Sequence, residues 1–316
     1  MTYLEDEKVS NLLDGKWEKI INAIELAFVD PTGDMVPKIY LEGKGGDFRA
    51  MPASLNAFAA MKWIGVFPDN HSVDDPDQVL GTPLPTTLGT LILNDKFTGY
   101  PLMAMDCTTL TAYRTAATSA VAAKHCAPKN VRDIAFIGCG MQAYYHALAY
   151  QKVFGNFTAC LYDKNMETAV KLSTKLHRHG LRSIKFNKDL KKITEHADII
   201  TTLTPSTEAY LDVHDIPNNC HVNAVGADAV GKRELKGGVI RDANHVICDD
   251  MEQAMHSGEL QHHSPMTLGG LAILSLGSVI EDPNPGLRSG VSVFDSTGVA
   301  IEDIAIAILI YKLYNK

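Results

Sequence analysis

Lys62 stands inside an apolar run, between Ala59-Ala-Met61 and Trp63-Ile-Gly-Val-Phe67. A charged amine is costly to bury in such a strand, and burial lowers its pKa. That is how a lysine becomes an acid or base of use near neutral pH. The alternative is a strand-edge lysine whose amine reaches water. Asp228 follows Val225-Gly-Ala227, directly after a second apolar run. The carboxyl end of a parallel strand is where open α/β sheets bind ligands, and a carboxylate there can hydrogen-bond a substrate amine. A turn or helix cap is the competing reading. Lys38, Arg49 and Arg114 each have the charge to hold a carboxylate or phosphate, the arginines through two parallel hydrogen bonds. A surface charge or ordinary ion pair explains Lys38 as well. Arg114 differs, because its neighbours along the helical run 110–124 are mostly Ala, Thr and Leu, so its guanidinium needs a specific partner.

A second group of residues is arranged for phosphate rather than for proton transfer. Ile134-Ala-Phe-Ile137 is an apolar run that stops at Gly138-Cys-Gly140-Met-Gln-Ala143, the spacing G-x-G-x-x-G/A. This is the sequence form of a strand, a tight turn and a helix N-terminus facing a dinucleotide pyrophosphate. Gly138 allows the turn, Gly140 lets backbone approach phosphate, and Ala143 keeps helix and strand close. The helix N-terminus supplies N–H groups and partial positive charge. Phe157 to Tyr162 is the next apolar run and ends at Asp163, about 20 residues on, where an acidic side chain takes the adenosine ribose hydroxyls. The runs 198–203 and 221–225 continue the alternation of strand and helix. Thr202, Thr204, Pro205 and Ser206 close the third run and are placed to line a nicotinamide pocket. Cys139, inside the turn, is read as a small side chain that fits.

The elements that must position these residues fall into two groups. Residues 4–29 read as helices, 36–41 and 48–51 as short strands, 57–67 as a longer one, and 68–85 as a loop rich in Asp and Pro. Strands 88–93 and 102–105 flank a turn at 94–101, and 110–124 is helical with small residues suited to close packing. The last helix, 299–314, is apolar round most of its circumference and is expected buried. Asp295, Ser296 or Thr297 suit its cap, and Glu302 and Asp303 its first turn. The fold class expected is therefore α/β: a Rossmann-type dinucleotide-binding domain over 113–293, and a discontinuous, mostly β domain over 1–112 plus 294–316.

Composition removes several function classes. A net charge of −8 with no basic run argues against a nucleic-acid surface. No uncharged apolar stretch approaches the roughly 18 residues of a membrane span. Met1-Thr-Tyr-Leu-Glu-Asp-Glu7 carries no signal-like basic and apolar regions. The six cysteines show no C-x-x-C pair and point to the reducing cytoplasm. The twelve histidines form no metal-binding pattern, so no metal is expected.

Taken together, Arg49-Ala-Met-Pro52, Lys62, Tyr113-Arg-Thr-Ala-Ala117, Phe136-Ile-Gly-Cys-Gly-Met-Gln142, Val225-Gly-Ala-Asp228, Asp249-Asp-Met-Glu-Gln-Ala254 and Phe294-Asp-Ser-Thr-Gly298 resemble the ornithine cyclodeaminase/mu-crystallin family over nearly the whole chain. The resemblance implies a homodimer with the β domain at the interface. It implies Lys62 as active-site acid/base, Asp228 as its partner at the substrate nitrogen, and Arg114 and Lys38 on the substrate carboxylate. Thr86, Met141, Gln142, Asp163, Thr202, Val225, Gly226, Lys232 and Ser296 would face the cofactor beside Gly138 and Gly140. Asp163 favours NAD over NADP, since a carboxylate repels a 2′-phosphate. Position 38 is Lys where the family usually has Arg. Position 49 is Arg where its cyclodeaminases have Glu, and an arginine there would repel the distal ammonium of ornithine.

The expected function is hydride transfer between NAD and the Cα of a small L-amino acid or its imine, as in alanine dehydrogenase or pyrroline-2-carboxylate reductase. Arg49 would join Arg114 and Lys38 in orienting the substrate carboxylate. The alternatives are ornithine cyclodeaminase, which recycles NAD within one turnover, and a mu-crystallin-like ligand-binding protein.

Overall fold

The structure, a computed structural model, describes residues 1–70 and 84–316. Most of the loop expected over 68–85 lies outside the described residues. The chain divides into two compact units, 1–114 with 299–316, and 115–298.

The first unit is built on a seven-stranded sheet. Its order is Thr2–Leu4, Pro101–Asp106, Thr87–Asp95, Phe58–Val66, Gly46–Leu55 and Asp34–Met35, with Ile39–Gly43 also paired to Gly46–Leu55. All pairs are antiparallel except Thr2–Leu4 with Pro101–Asp106. Period-two alternation separates two faces. Cross-strand register aligns Leu4, Met105, Leu91, Lys62 and Met51 in one row, and all five are buried. Helix Ala300–Tyr314 packs against strands Gly46–Leu55 and Phe58–Val66 and against helix Trp17–Val29. Its residues from Ala300 through Ile308 are buried, including Glu302 and Asp303. The opposite face of the sheet carries Ile39, Leu41, Met61, Trp63 and Ile92, each more than a third exposed. Phe48 stacks on Trp63 there at 5.5 Å between ring centroids.

The second unit holds an eight-stranded, all-parallel sheet. Its order is Ser183–Phe186, Thr158–Tyr162, Asp133–Ile137, Ile199–Thr202, Cys220–Ala224, Val291–Asp295, His245–Cys248 and Ile273–Ser275. The chain runs outward from Asp133–Ile137 in one direction, then returns to its other side with Ile199–Thr202. The order therefore reverses between these two strands, the switch point at whose carboxyl edge α/β sheets bind ligands. Both Ile199–Thr202 and Cys220–Ala224 are buried throughout, which is why they read as unbroken runs. Val291–Asp295 belongs to this sheet, and the first unit resumes at Val299.

Candidate active site

The row of buried residues on the first sheet places Lys62 among Met51, Leu91 and Met105, where its amine cannot reach water. It is 1% exposed, so it is not a strand-edge lysine. Its Nζ donates to Asp303 Oδ1 at 2.8 Å and to Thr111 Oγ1 at 3.3 Å. Arg114 lies beside them, its Nε 3.1 Å from the same Asp303 oxygen and its Nη1 2.8 Å from Glu302 Oε2. Two cations and two carboxylates are thus enclosed together. Unpaired, each would cost several kcal/mol of desolvation. Burial lowers the Lys62 pKa, Asp303 pulls it back up, and Arg114 lowers it further. The amine is therefore poised to lose a proton below the usual lysine range, held in place by a carboxylate. Asp303 Oδ2 is buried with no hydrogen-bond partner among the described residues. Cys107 lies close by, but burial pushes its thiol up to about 12, so it stays protonated.

The other basic residues of this unit are arranged differently. Arg49 is buried and binds Asp47 through two contacts, Nε to Oδ1 at 2.6 Å and Nη2 to Oδ2 at 3.2 Å. Its guanidinium also lies over the Tyr40 ring at 5.5 Å. Lys38 is half-buried just before strand Ile39–Gly43. Thr86 precedes Thr87–Asp95, and its carbonyl accepts from Phe67 N at 2.8 Å.

In the second unit the glycine turn has the form its spacing predicts. Gly138 has φ +94°, and a Cβ there would come within 2.9 Å of the Leu203 carbonyl oxygen. Gly140 is the N-cap of helix Met141–Phe154, with no side-chain cap. A Cβ on Gly140 would meet no described atom within 4 Å, so the backbone there is open to the approach of a ligand. Met141 is half exposed in the first turn of that helix. Asp163 Oδ2 accepts from Cys139 N at 2.8 Å and its Oδ1 from Asn165 N at 2.8 Å, so the carboxylate is fixed beside the turn. The Cys139 thiol is pushed up to about 12 by burial and donates to the Tyr162 carbonyl.

Thr202 ends one buried strand, Val225 follows the next, Cys220–Ala224, and the Gly226 N–H donates to Glu234 Oε2 at 2.8 Å. Gln142 Oε1 and Ser296 Oγ are buried with no partner among the described residues. Buried polar atoms are nearly always satisfied, so these two await a ligand or water. The glycine turn, the uncapped helix N-terminus, the open space at Gly140 and these orphaned atoms together fit a dinucleotide. Asp228 is half-buried and forms an ion pair with Lys232, Oδ1 to Nζ 2.6 Å. It is neither a helix cap nor fully enclosed.

One expectation needs correction. None of Asp295, Ser296 and Thr297 caps the last helix. Its N-cap is Val299, whose N–H donates to Glu302 Oε1 at 3.2 Å. Asp295 instead accepts from Glu259 N and Leu260 N, and Thr297 N donates to Asp249. Glu302 and Asp303 are also more than first-turn acids favoured by the helix dipole: they are the counter-charges of Lys62 and Arg114. A signal for this existed, since two carboxylates in a helix apolar on all sides need buried cations. No group of His, Cys, Asp and Glu that could hold a metal occurs among the described residues.

Comparison with known proteins gives a consistent result. Alanine dehydrogenase of Archaeoglobus fulgidus is 34% identical over 318 residues, covering 98% of this chain and 94% of that protein. The solved structure of an archaeal alanine dehydrogenase dimer with bound NAD superposes with a TM-score of 0.88 at 34% identity, over 100% of this chain and 96% of that one. Thermococcus litoralis Δ1-pyrroline-2-carboxylate reductase, solved with NADH and L-proline, gives 0.90 at 27% identity, over 100% and 98%. The profile of the ornithine cyclodeaminase/mu-crystallin family matches residues 4–316, and the chain belongs to that family.

Proposed function

We propose that this protein is an NAD-dependent oxidoreductase acting on the C–N bond of a small L-amino acid or its imine, of the alanine dehydrogenase or pyrroline-2-carboxylate reductase type. The observation that carries this reading is the enclosed Lys62–Asp303–Arg114–Glu302 cluster, an amine with a lowered pKa held by a fixed carboxylate. NAD supplies the hydride acceptor for Cα when bound. Residues at the carboxyl ends of strands Asp133–Ile137, Thr158–Tyr162, Ile199–Thr202 and Cys220–Ala224 hold it, with Thr86, Lys232 and Ser296. Asp163 takes the ribose hydroxyls and selects NAD over NADP.

Lys62, as the neutral amine, accepts a proton from the substrate ammonium, so that the nitrogen lone pair can form the C=N bond as hydride leaves Cα. In the dehydrogenase Lys62, once it has released that proton to solvent, takes one from the water that attacks the imine and passes it to the departing nitrogen, giving keto acid and ammonia. Asp228 is its partner at the substrate nitrogen. Arg114, Arg49 and Lys38 neutralise and orient the substrate carboxylate. The second reading, ornithine cyclodeaminase, is disfavoured by Arg49, whose charge opposes a distal ammonium. A pure ligand-binding role is disfavoured by the retention of costly buried charges around Lys62.

The first unit serves as substrate-binding and dimerisation domain, the second as NAD-binding domain. The apolar outer face of the first sheet is the surface for a second copy of the chain. All six cysteines are free, in keeping with the cytoplasm, and no described helix is long and apolar enough to cross a membrane. The test is a parallel assay of NADH, ammonia and organic product with NAD and L-alanine, L-proline or L-ornithine. Net NADH from alanine or proline supports the proposal. Proline and ammonia from ornithine without net NADH overturn it in favour of the cyclodeaminase.

A further inference from the structure

Glu234 is fully buried and lies outside the proton-transfer machinery. Its Oε1 accepts from Thr204 N at 2.7 Å, Thr204 Oγ1 at 2.6 Å and Tyr210 OH at 2.7 Å. Its Oε2 accepts from Gly226 N at 2.8 Å. Thr204 and Gly226 belong to the loops that follow the adjacent strands Ile199–Thr202 and Cys220–Ala224. One carboxylate therefore spans both loops at the ligand-binding edge of the sheet. The approach is close: a Cβ on Gly226 would lie 2.2 Å from the Thr204 carbonyl oxygen and 2.5 Å from Glu234 Cδ.

Glu234 is itself anchored. Its own N–H and that of Leu235 donate to Glu259 Oε1 at 2.6 and 3.2 Å. The N–H groups of Glu259 and Leu260 donate to the carboxylate of Asp295 at 3.0 Å each. Asp295 ends strand Val291–Asp295, the neighbour of Cys220–Ala224. Three buried carboxylates in series thus tie the two loops to the end of a core strand. Burial pushes the Glu234 carboxyl up, and hydrogen bonds from Thr204 and Tyr210 oppose this. The geometry favours the ionised form, because all four groups facing it are donors.

We infer that Glu234 is a positioning residue for the nicotinamide cofactor, fixing the Thr204 and Gly226 loops at one separation so that both can engage it. This rests on the NAD-dependent reading above. Glu234→Gln keeps the size but turns an NH2 toward either Gly226 N–H or Thr204 N–H, two donors face to face. The loop held by that arm is released.

The experiment pairs two readouts on the intact protein: NADH affinity by fluorescence titration, and backbone hydrogen exchange at Thr204 and Gly226 without ligand. For E234Q the expected result is an NADH Kd raised at least tenfold, with faster exchange at one or both amides. Tyr210→Phe leaves both loop bonds in place and is expected to change Kd less than twofold. Glu259→Gln, acting one link further away, is expected to give a smaller rise in Kd with faster exchange at the same amides. It provides the test if E234Q does not fold. Wild-type protein that binds no NADH overturns the NAD reading itself. Wild-type protein that binds NADH, with E234Q or E259Q unchanged in Kd, overturns only the positioning role.

Discussion

Replacement of Lys62 by Met keeps the length of the side chain and removes its charge. In the wild-type protein Lys62 and Arg114 face Asp303 and Glu302, two charges of each sign in one enclosure. Lys62→Met leaves two carboxylates against one guanidinium. Removal of one partner from a buried pair typically costs about 3–5 kcal/mol. Arg114 Nε remains 3.1 Å from the same Asp303 oxygen, which puts the expected loss near the lower end, roughly 3 kcal/mol. The double variant Lys62→Met/Asp303→Asn removes the stranded charge and should be more stable than the single one, by about 1 kcal/mol or more. Denaturant unfolding followed by tryptophan fluorescence reads this locally, because both tryptophans, Trp17 and Trp63, lie in the first unit. Turnover should fall by about 10²–10⁴-fold, the usual worth of a positioned acid or base. A single variant as stable as wild type would mean that Lys62 is not the charged partner of Asp303. Turnover above a tenth of wild type would remove the acid/base assignment.

Four further expectations follow from named contacts. As a base, Lys62 acts as the neutral amine, so activity should rise with pH along a limb below the ordinary lysine value of 10.5. Asp303→Asn removes the influence that raises this pKa and should move the limb to lower pH; a limb that stays put or moves up contradicts the pairing. Gly140→Ala meets no described atom within 4 Å, so thermal stability should be unchanged while NADH Kd rises at least tenfold; unchanged affinity would detach Gly140 from the cofactor. Asp163→Ala should weaken NAD and improve the relative use of NADP by about tenfold or more, read as the ratio of kcat/KM values; an unchanged ratio removes Asp163 from cofactor selection. Trp63→Arg places a charge on the exposed apolar face of the first sheet and should shift a dimer toward monomer in sedimentation; an unaltered mass would move the interface elsewhere.

Much of this arrangement is legible in the sequence, for physical reasons. The strands of the parallel sheet are buried on both faces, so they appear as short apolar runs, and the Gly138–Ala143 turn follows the first of them. Lys62 stood out because a charge in an apolar run demands an explanation. Ser183–Phe186 was not legible: it is an edge strand of four residues, three of them exposed, and its apolar pattern is correspondingly weak. Asp303 and Glu234 were hidden for a different reason. Each bonds groups distant in sequence, Lys62 and Arg114 for the one, Thr204 for the other, and sequence spacing carries no information about such pairs. Arg49 shows the converse. Its charge was evident, but its bidentate contact with Asp47, two residues away on the same strand, is set by local strand geometry.

Direct transfer of hydrogen from Cα is the central claim, and the isotope carried by the reduced cofactor tests it. The protein would be turned over with NAD and L-alanine or L-proline deuterated at Cα, and the mass of the NADH measured. The account predicts NADH carrying one deuterium from the substrate. NADH of ordinary mass, with the label lost to water, would contradict it.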